Sequence, residues 1–282
     1  MELLPKEEMQ RAVKLALAED VGIGDATTLA TIPANALAVA RMVASEELVV
    51  AGLDVAVETF HQVFSGLQIK RVSADGLKVE QRQTLLEISG PAQAILTAER
   101  VALNFVQRLS GIATVTAMFV EAVQGTKARI LDTRKTTPGL RLLEKYAVTC
   151  GGGMNHRIGL FDMILIKDNH LAALSEEPPN AVGAAVRRAR EKYPALKVEV
   201  EADTSVQVQQ AIEAGADFIL LDNMTLDEMR TAVFWVNGRA KLEASGGVNL
   251  QTVRGIAETG VDFISVGALT HSARAVDIAL DF

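Results

Sequence analysis

Six segments of this chain finish on residues able to handle a charged ligand. They carry Thr133-Arg134-Lys135, Lys167-Asp168-Asn169-His170, Glu201, Asp222-Asn223, Ser245-Gly246-Gly247, and Gly267-Ala268 after Val266. Arg and Lys pair with carboxylate or phosphate, Arg in bidentate fashion. His156-Arg157 and His271 enlarge this cationic set. Two carboxylates, Glu201 and Asp222, can hold Mg²⁺ beside a diphosphate, bind ribose hydroxyls, or stabilise a developing cation. Glycines after a strand expose backbone N–H groups, to which phosphate binds near a helix N-terminus. Each feature also has a plain reading. Single cations solvate surfaces, carboxylates pair with neighbouring Lys or Arg, and glycines make tight turns. The argument for a site is the repetition of such residues at one end of successive units. Lys167 ends an apolar strand and is also compatible with a Schiff-base lysine. His61 and His170 carry less weight, and the four histidines have no zinc spacing.

These residues must be positioned by strand–helix units. Apolar runs over 128–133, 163–167, 197–201, 217–222, 240–244 and 262–266 read as strands. Helical patterns fall between them at 182–190, 205–214, 226–236 and 250–258, with Gly215 and Gly260 as C-terminal caps. In βα barrels the C-terminal strand ends form the active face. Six units fall short of the eight of a closed barrel, so an open or partial barrel is expected, with room for one hidden strand. The first part of the chain has another texture. Short alternating strands at 38–43, 67–72 and 85–88 are punctuated by Asp75-Gly76 and Ser89-Gly90. Helical patterns cover 9–17, 53–64 and 92–109, the last running on past Ser110-Gly111. The division expected is an N-terminal α/β domain over 1–112 and a C-terminal barrel over 113–282, whose last residues can pack back on the first domain.

Composition narrows the classes. Of 282 residues, 49% are hydrophobic and 22% charged, which excludes a disordered chain. One cysteine, Cys150, excludes a disulfide scaffold and suits a reducing, cytoplasmic setting. The acidic, amphipathic start does not read as a signal peptide, and no apolar run approaches the roughly 18 residues of a membrane span. A net charge of −7 argues against a nucleic-acid binder, so the basic strand-end set is a local exception in an acidic protein. Gly151-Gly152-Gly153, just before His156, could let a loop fold over the mouth.

The sequence closely resembles the quinolinate phosphoribosyltransferases over nearly its whole length. The resemblance rests on Glu19-Asp20-Val21-Gly22 with Gly24-Asp25-Ala26-Thr27-Thr28, Glu99-Arg100, Ser110-Gly111-Ile112-Ala113-Thr114 and Asp132-Thr133-Arg134-Lys135-Thr136. It continues through Gly151-Gly152-Gly153-Met154-Asn155-His156-Arg157, Ile166-Lys167-Asp168-Asn169-His170, Glu199-Val200-Glu201, Leu221-Asp222-Asn223 and Ser245-Gly246-Gly247. Gln81-Arg82-Gln83 departs by lacking a glycine in a strand turn, and Glu176 to Asn180 is a loop variation. The resemblance implies an α/β sandwich followed by an open TIM-like barrel, assembled at least as a homodimer. It implies that quinolinate and 5-phosphoribosyl 1-diphosphate, with Mg²⁺, give nicotinate mononucleotide, diphosphate and CO₂. By that resemblance Arg100 reaches a neighbouring subunit's site. Thr133, Arg134, Lys135, His156, Arg157 and Lys167 take the quinolinate carboxylates and diphosphate. Glu201 and Asp222 face ribose and metal. Ser245, Gly246, Gly247, Val266, Gly267 and Ala268 hold the 5-phosphate, with His271 nearby. Lys135, Lys167, Glu201 and Asp222 carry the catalytic roles. Neither nucleic acid nor membrane is expected as a partner. The alternatives are a related phosphoribosyltransferase (nicotinate-specific or a molybdenum-operon relative), a barrel aldolase using Lys167, and a non-catalytic ligand-binding protein.

Overall fold

The structure is a computed structural model that describes residues 4–282. The acidic start read above includes Met1 to Leu3, which lie outside the described residues. The chain opens with α1 (Lys6–Val21), α2 (Ala26–Thr31), β1 (Leu37–Ala44), β2 (Leu48–Val49) and α3 (Leu53–Val63). There follow β3 (Gln68–Arg71), β4 (Lys78–Val79), β5 (Thr84–Pro91) and the long α4 (Ala92–Ala122). The βα series then runs β6 (Arg129–Leu131), α5 (Arg141–Cys150), β7 (Ile164–Ile166), α6 (Asp168–Ala172), α7 (Ala181–Lys192), β8 (Val198–Ala202) and α8 (Ser205–Glu213). It closes with β9 (Phe218–Asp222), α9 (Leu226–Val236), β10 (Lys241–Ser245), α10 (Val253–Ala257), β11 (Phe263–Ser265), α11 (Ala268–His271) and β12 (Ile278–Asp281).

Two compact units form. The first holds the chain up to Ala117, Thr136–Gly153 and Leu269–Phe282; the second holds Met118–Lys135 and Met154–Ala268. The units therefore do not divide at 112/113, for three physical reasons. Helix α4 runs unbroken through that point. Within it Gly111 lets the chain at Arg274 pass where a β-carbon would strike the Arg274 carbonyl. Strand β12 then pairs antiparallel with β1, Arg41 facing Asp281 and Ala44 facing Ile278. The first unit's antiparallel sheet has the order β12-β1-β5-β3, with β2-β4 as a small ribbon. Its core gathers Met42, Leu53, Phe60, Leu86 and Ile88 with Ile95, Ala102 and Val106 of α4. Among the described residues α4 is the one helix long and apolar enough to cross a membrane, contrary to the expectation of no such run. Its buried face belongs to this core, and it carries Glu99, Arg100 and Arg108. Where a turn glycine was expected, between β4 and β5, Arg82 takes the left-handed conformation instead, with φ 69°.

The second unit is an open parallel sheet with strand order β6-β11-β10-β9-β8-β7. All six expected strands are present. The strands are β-branched and aliphatic runs buried on both faces, such as Phe218–Asp222, as parallel strands flanked by helices require. Helices α8 and α9 begin on Thr204 and Thr225, each with a capping box that satisfies the first-turn N–H groups. A seventh position is marked by one residue: Met154 bridges Leu131 in parallel, its N–H donating to the Ile130 carbonyl at 2.9 Å. The sheet edges remain β6 and β7, so the barrel is open there.

Candidate active site

Inside the second unit, the C-terminal ends of the strands surround a cavity of about 450 Å³. Thr133, Arg134 and Lys135 reach it from beyond β6, Arg157 and His156 from the turn after Met154, and Lys167 from beyond β7. Glu201, Asp222, Ser245 and Ser265 come from β8, β9, β10 and β11. Nine residues that sequence reading assigned to a ligand thus share one cavity, Asp222 and Ser245 among them. The glycine-turn residues stand differently: Gly246, Gly247, Val266, Gly267 and Ala268 follow the strand ends without lining it. Val266 is 1% exposed and its N–H donates to the Leu131 carbonyl, so it closes the sheet. Arg100 and His271 lie in the first unit, both exposed.

Local bonds aim these side chains. The Lys135 N–H donates to Thr133 Oγ1 at 3.1 Å. Asp162 accepts the Ile158 and Gly159 N–H groups at 2.7 and 2.9 Å, shaping the loop after Arg157. The Arg157 guanidinium donates to the Met163 carbonyl at 3.1 Å. Burial lowers its pKa first, and the positive charge of Arg134 lowers it further. Two neighbouring cations that are partly desolvated make a strong anion site. Lys167 is ion-paired to Glu201, and its backbone N–H donates to His170 Nδ1 at 2.9 Å. The Asp222 carboxyl is pushed up by burial and then by the charges of Glu201 and Asp203.

Beneath the cations lies a layer that the sequence reading missed. Glu199 of β8 and Glu243 of β10 come from alternate strands and are 0% and 2% exposed. In parallel barrels, alternate strands contribute one interior layer. Glu243 also lines the cavity, as does Ser265, which donates to it. The His156 Nε2 lies 3.0 Å from Glu199 and 3.4 Å from Glu243. The ligating atoms of these three residues fall within 4.8 Å of one another, a spacing a metal ion could use. The hydrogen bonding argues otherwise. The Arg157 N–H donates to His156 Nδ1 at 2.7 Å, so Nδ1 is an acceptor and the ring proton sits on Nε2. A protonated Nε2 donates to the Glu199 carboxylate and cannot ligate a metal. Burial pushes both carboxyl groups up, and the Glu199 charge pushes Glu243 further. Two such groups hydrogen-bonded to each other hold a proton between them. The available signal was the alternation Glu199-Val200-Glu201, which places one glutamate one layer below the other.

The mouth residues Glu201 and Asp222 fit a divalent ion better. They are oxygen donors on adjacent strands, partly open to the cavity, as an ion carried in with a diphosphate requires.

Two family models match this chain. The quinolinate phosphoribosyltransferase C-terminal domain matches residues 112–281, and the N-terminal domain matches residues 25–110. The chain belongs to the quinolinate phosphoribosyltransferase family. The nicotinate-nucleotide pyrophosphorylase [carboxylating] of Mycobacterium leprae (strain TN) is 46% identical over 275 residues, covering 95% of either chain. Among solved structures, the nicotinate-nucleotide pyrophosphorylase from Francisella tularensis superposes with a TM-score of 0.93 at 41% identity, covering 99% of this chain and 97% of that one. NadC from Streptococcus pyogenes gives 0.95 at 38% identity, covering 100% and 98%. The family models meet close to 112, whereas the compact units interleave, because α4 and β12 tie family-defined segments to the first unit.

Proposed function

We propose that this cavity converts quinolinate and 5-phosphoribosyl 1-diphosphate into nicotinate mononucleotide, diphosphate and CO₂, the decarboxylating phosphoribosyl transfer of de novo NAD biosynthesis. The observation that carries the reading is the convergence of Arg134, Lys135, Arg157 and Lys167 in one cavity of a chain whose net charge is −7. Two substrates with many negative charges need such a set. Arg134, Lys135 and Arg157 take the two carboxylates of quinolinate and part of the diphosphate. Glu201 and Asp222 face the ribose, where departure of diphosphate leaves positive charge on the ring carbon. The pyridine nitrogen attacks that carbon. The carbon–carbon bond to the adjacent carboxylate then breaks, its electron pair staying beside N⁺, and a proton replaces CO₂. Positioning two such substrates supplies several kcal/mol of the barrier. Ser245, Gly246, Gly247, Gly267 and Ala268 are assigned to the 5-phosphate. Mg²⁺ bound with diphosphate at Glu201 and Asp222 would neutralise leaving-group charge.

A homodimer in which Arg100 enters the partner's site is part of this proposal, supported by the exposure of Arg100 on α4. The buried thiol of Cys150, in no disulfide, suits a reducing compartment, and we place the protein in the cytoplasm. An aldolase role for Lys167 finds less support, since a Schiff-base lysine needs a free amine and Lys167 is paired with Glu201. The deciding assay supplies purified protein with quinolinate, phosphoribosyl diphosphate and Mg²⁺ and measures CO₂ and mononucleotide together. Turnover of nicotinate with none of quinolinate would replace this reading with the nicotinate-specific one.

A further inference from the structure

Asn223 has no part in the chemistry above, yet its conformation is unusual and it stands beside Asp222. Among the described residues only Arg82, Asn223 and Asn237 combine a side chain with positive φ. Arg82 turns the chain between β4 and β5, and Asn237 ends α9. Asn223, with φ 55°, instead follows directly on the last residue of β9.

Three contacts explain the position. The Asn223 N–H donates to the Ser245 carbonyl at 3.0 Å, carrying the β9–β10 ladder one residue past the strand ends. Its left-handed turn sends the side chain back, and Nδ2 donates to Asp222 Oδ2 at 2.7 Å. The amide oxygen then lies over Gly246, where a β-carbon would collide with it and stand 2.6 Å from its Cγ. Gly246 has φ 93°, and the space above it is filled by Asn223. Asp222, Asn223 and Gly246 therefore form one unit across two strand ends.

We propose that Asn223 is a positioning residue that holds the Asp222 carboxylate toward the ribosyl end of the site. Asn223 touches no substrate and acts through Asp222. The inference rests on the assignment of Asp222 proposed above.

The test uses the full chain with Asn223→Gly, Asn223→Asp, and Asp222→Asn as control. Turnover and KM are measured with quinolinate, phosphoribosyl diphosphate and Mg²⁺. Quinolinate binding alone is measured by calorimetry, and folding by circular dichroism. Asn223→Gly keeps the backbone conformation and removes the amide. Its kcat should fall about tenfold, with quinolinate affinity and thermal midpoint unchanged. Asn223→Asp should fall further, because it sets a second carboxylate against Asp222. A purely turn-forming role predicts otherwise: Gly and Asp both tolerate positive φ, so both variants would keep turnover within about twofold. That result, or a loss of kcat that follows loss of folded protein, overturns the proposal. Unchanged turnover in Asp222→Asn would sink the site assignment itself, whereas loss there with normal Asn223 variants sinks only this inference.

Discussion

Replacing Glu243 by Gln should flatten the dependence of stability on pH. Glu243 is 2% exposed, faces Glu199 and His156, accepts a bond from Ser265, and is pushed up to about 8 by burial and then by the Glu199 charge. Arg157 and Lys167 act on its partner Glu199 in the opposite sense. An ordinary glutamate titrates near 4.5 in the unfolded chain. The folded protein therefore binds more protons than the unfolded one between those values. A group raised in this way costs nothing below about pH 4.5 and costs more as pH rises toward 8, at about 1.4 kcal/mol per pH unit. Because Glu199 shares the proton, we halve the full span and expect wild type to lose roughly 2–3 kcal/mol between about pH 5 and pH 8 from this pair. Gln keeps the size of the side chain and donates to Glu199 as the protonated acid does, without titrating. Glu243→Gln should match wild type near pH 5 and exceed it by that amount near pH 8. Urea unfolding at about pH 5, 6.5 and 8, at one protein concentration, reads the difference. Parallel curves for the two proteins across that range would refute a shared proton beneath the site.

Arg157→Ala should cut kcat/KM at least about tenfold, because it removes a partly buried cation that no neighbour replaces; steady-state kinetics with both substrates check this. Arg108→Ala should destabilise the first unit by about 3–5 kcal/mol, since it leaves the fully buried Glu144 without its ion-pair partner at 2.8 Å; chemical unfolding measures it. Mixing inactive Arg100→Ala with inactive Lys135→Ala should restore turnover, because one of the two sites in a mixed dimer then combines an intact Lys135 with an intact Arg100 from the other subunit, while the second site lacks both. An absence of recovery across mixing ratios would count against Arg100 acting in a partner's site.

The strands of the second unit were legible because each is an apolar run bounded by turn chemistry, and parallel strands buried on both faces need little else. The strand-end residues were legible for the same reason: once the runs are placed, Lys167, Glu201 and Asp222 fall at one rim. The unit division was not legible. The return of the last residues as β12 and the run of α4 past Ser110-Gly111 were both expected; what local pattern does not contain is that Thr136–Gly153 joins the first unit. Glu199 and Glu243 were overlooked because a charged residue inside an apolar run reads as a solvent-facing position, whereas in a barrel the inward layer can be polar. Val266 follows directly on β11 with its side chain buried, so any part it takes in the 5-phosphate site is through its backbone.

The two rims of the parallel sheet use the same acid for opposite purposes, and this separates structure from chemistry in the molecule. At the strand starts, Asp217 accepts the Val198 N–H at 2.9 Å and pairs with Arg190 and Lys197, and Asp262 accepts the Leu242 N–H at 3.0 Å and pairs with Lys127 and Lys241. These bonds hold both carboxyls below their ordinary value despite some burial. They are satisfied, charged and fixed, and nothing is left for a ligand. At the strand ends the balance reverses. Burial pushes up Asp222 there and Glu199 and Glu243 in the layer beneath, the charges of Glu201 and Asp203 add to Asp222 and that of Glu199 adds to Glu243, and Glu199 and Glu243 each keep a buried oxygen without a partner. Folding places those groups at a cost that their own contacts do not offset. The cationic wall of Arg134, Lys135, Arg157 and Lys167 is the local counter-charge, and anionic substrates in turn complete the wall. Substrate binding should therefore stabilise the second unit more than the number of direct contacts suggests, because it relieves repulsion among cations that the buried acids only partly neutralise.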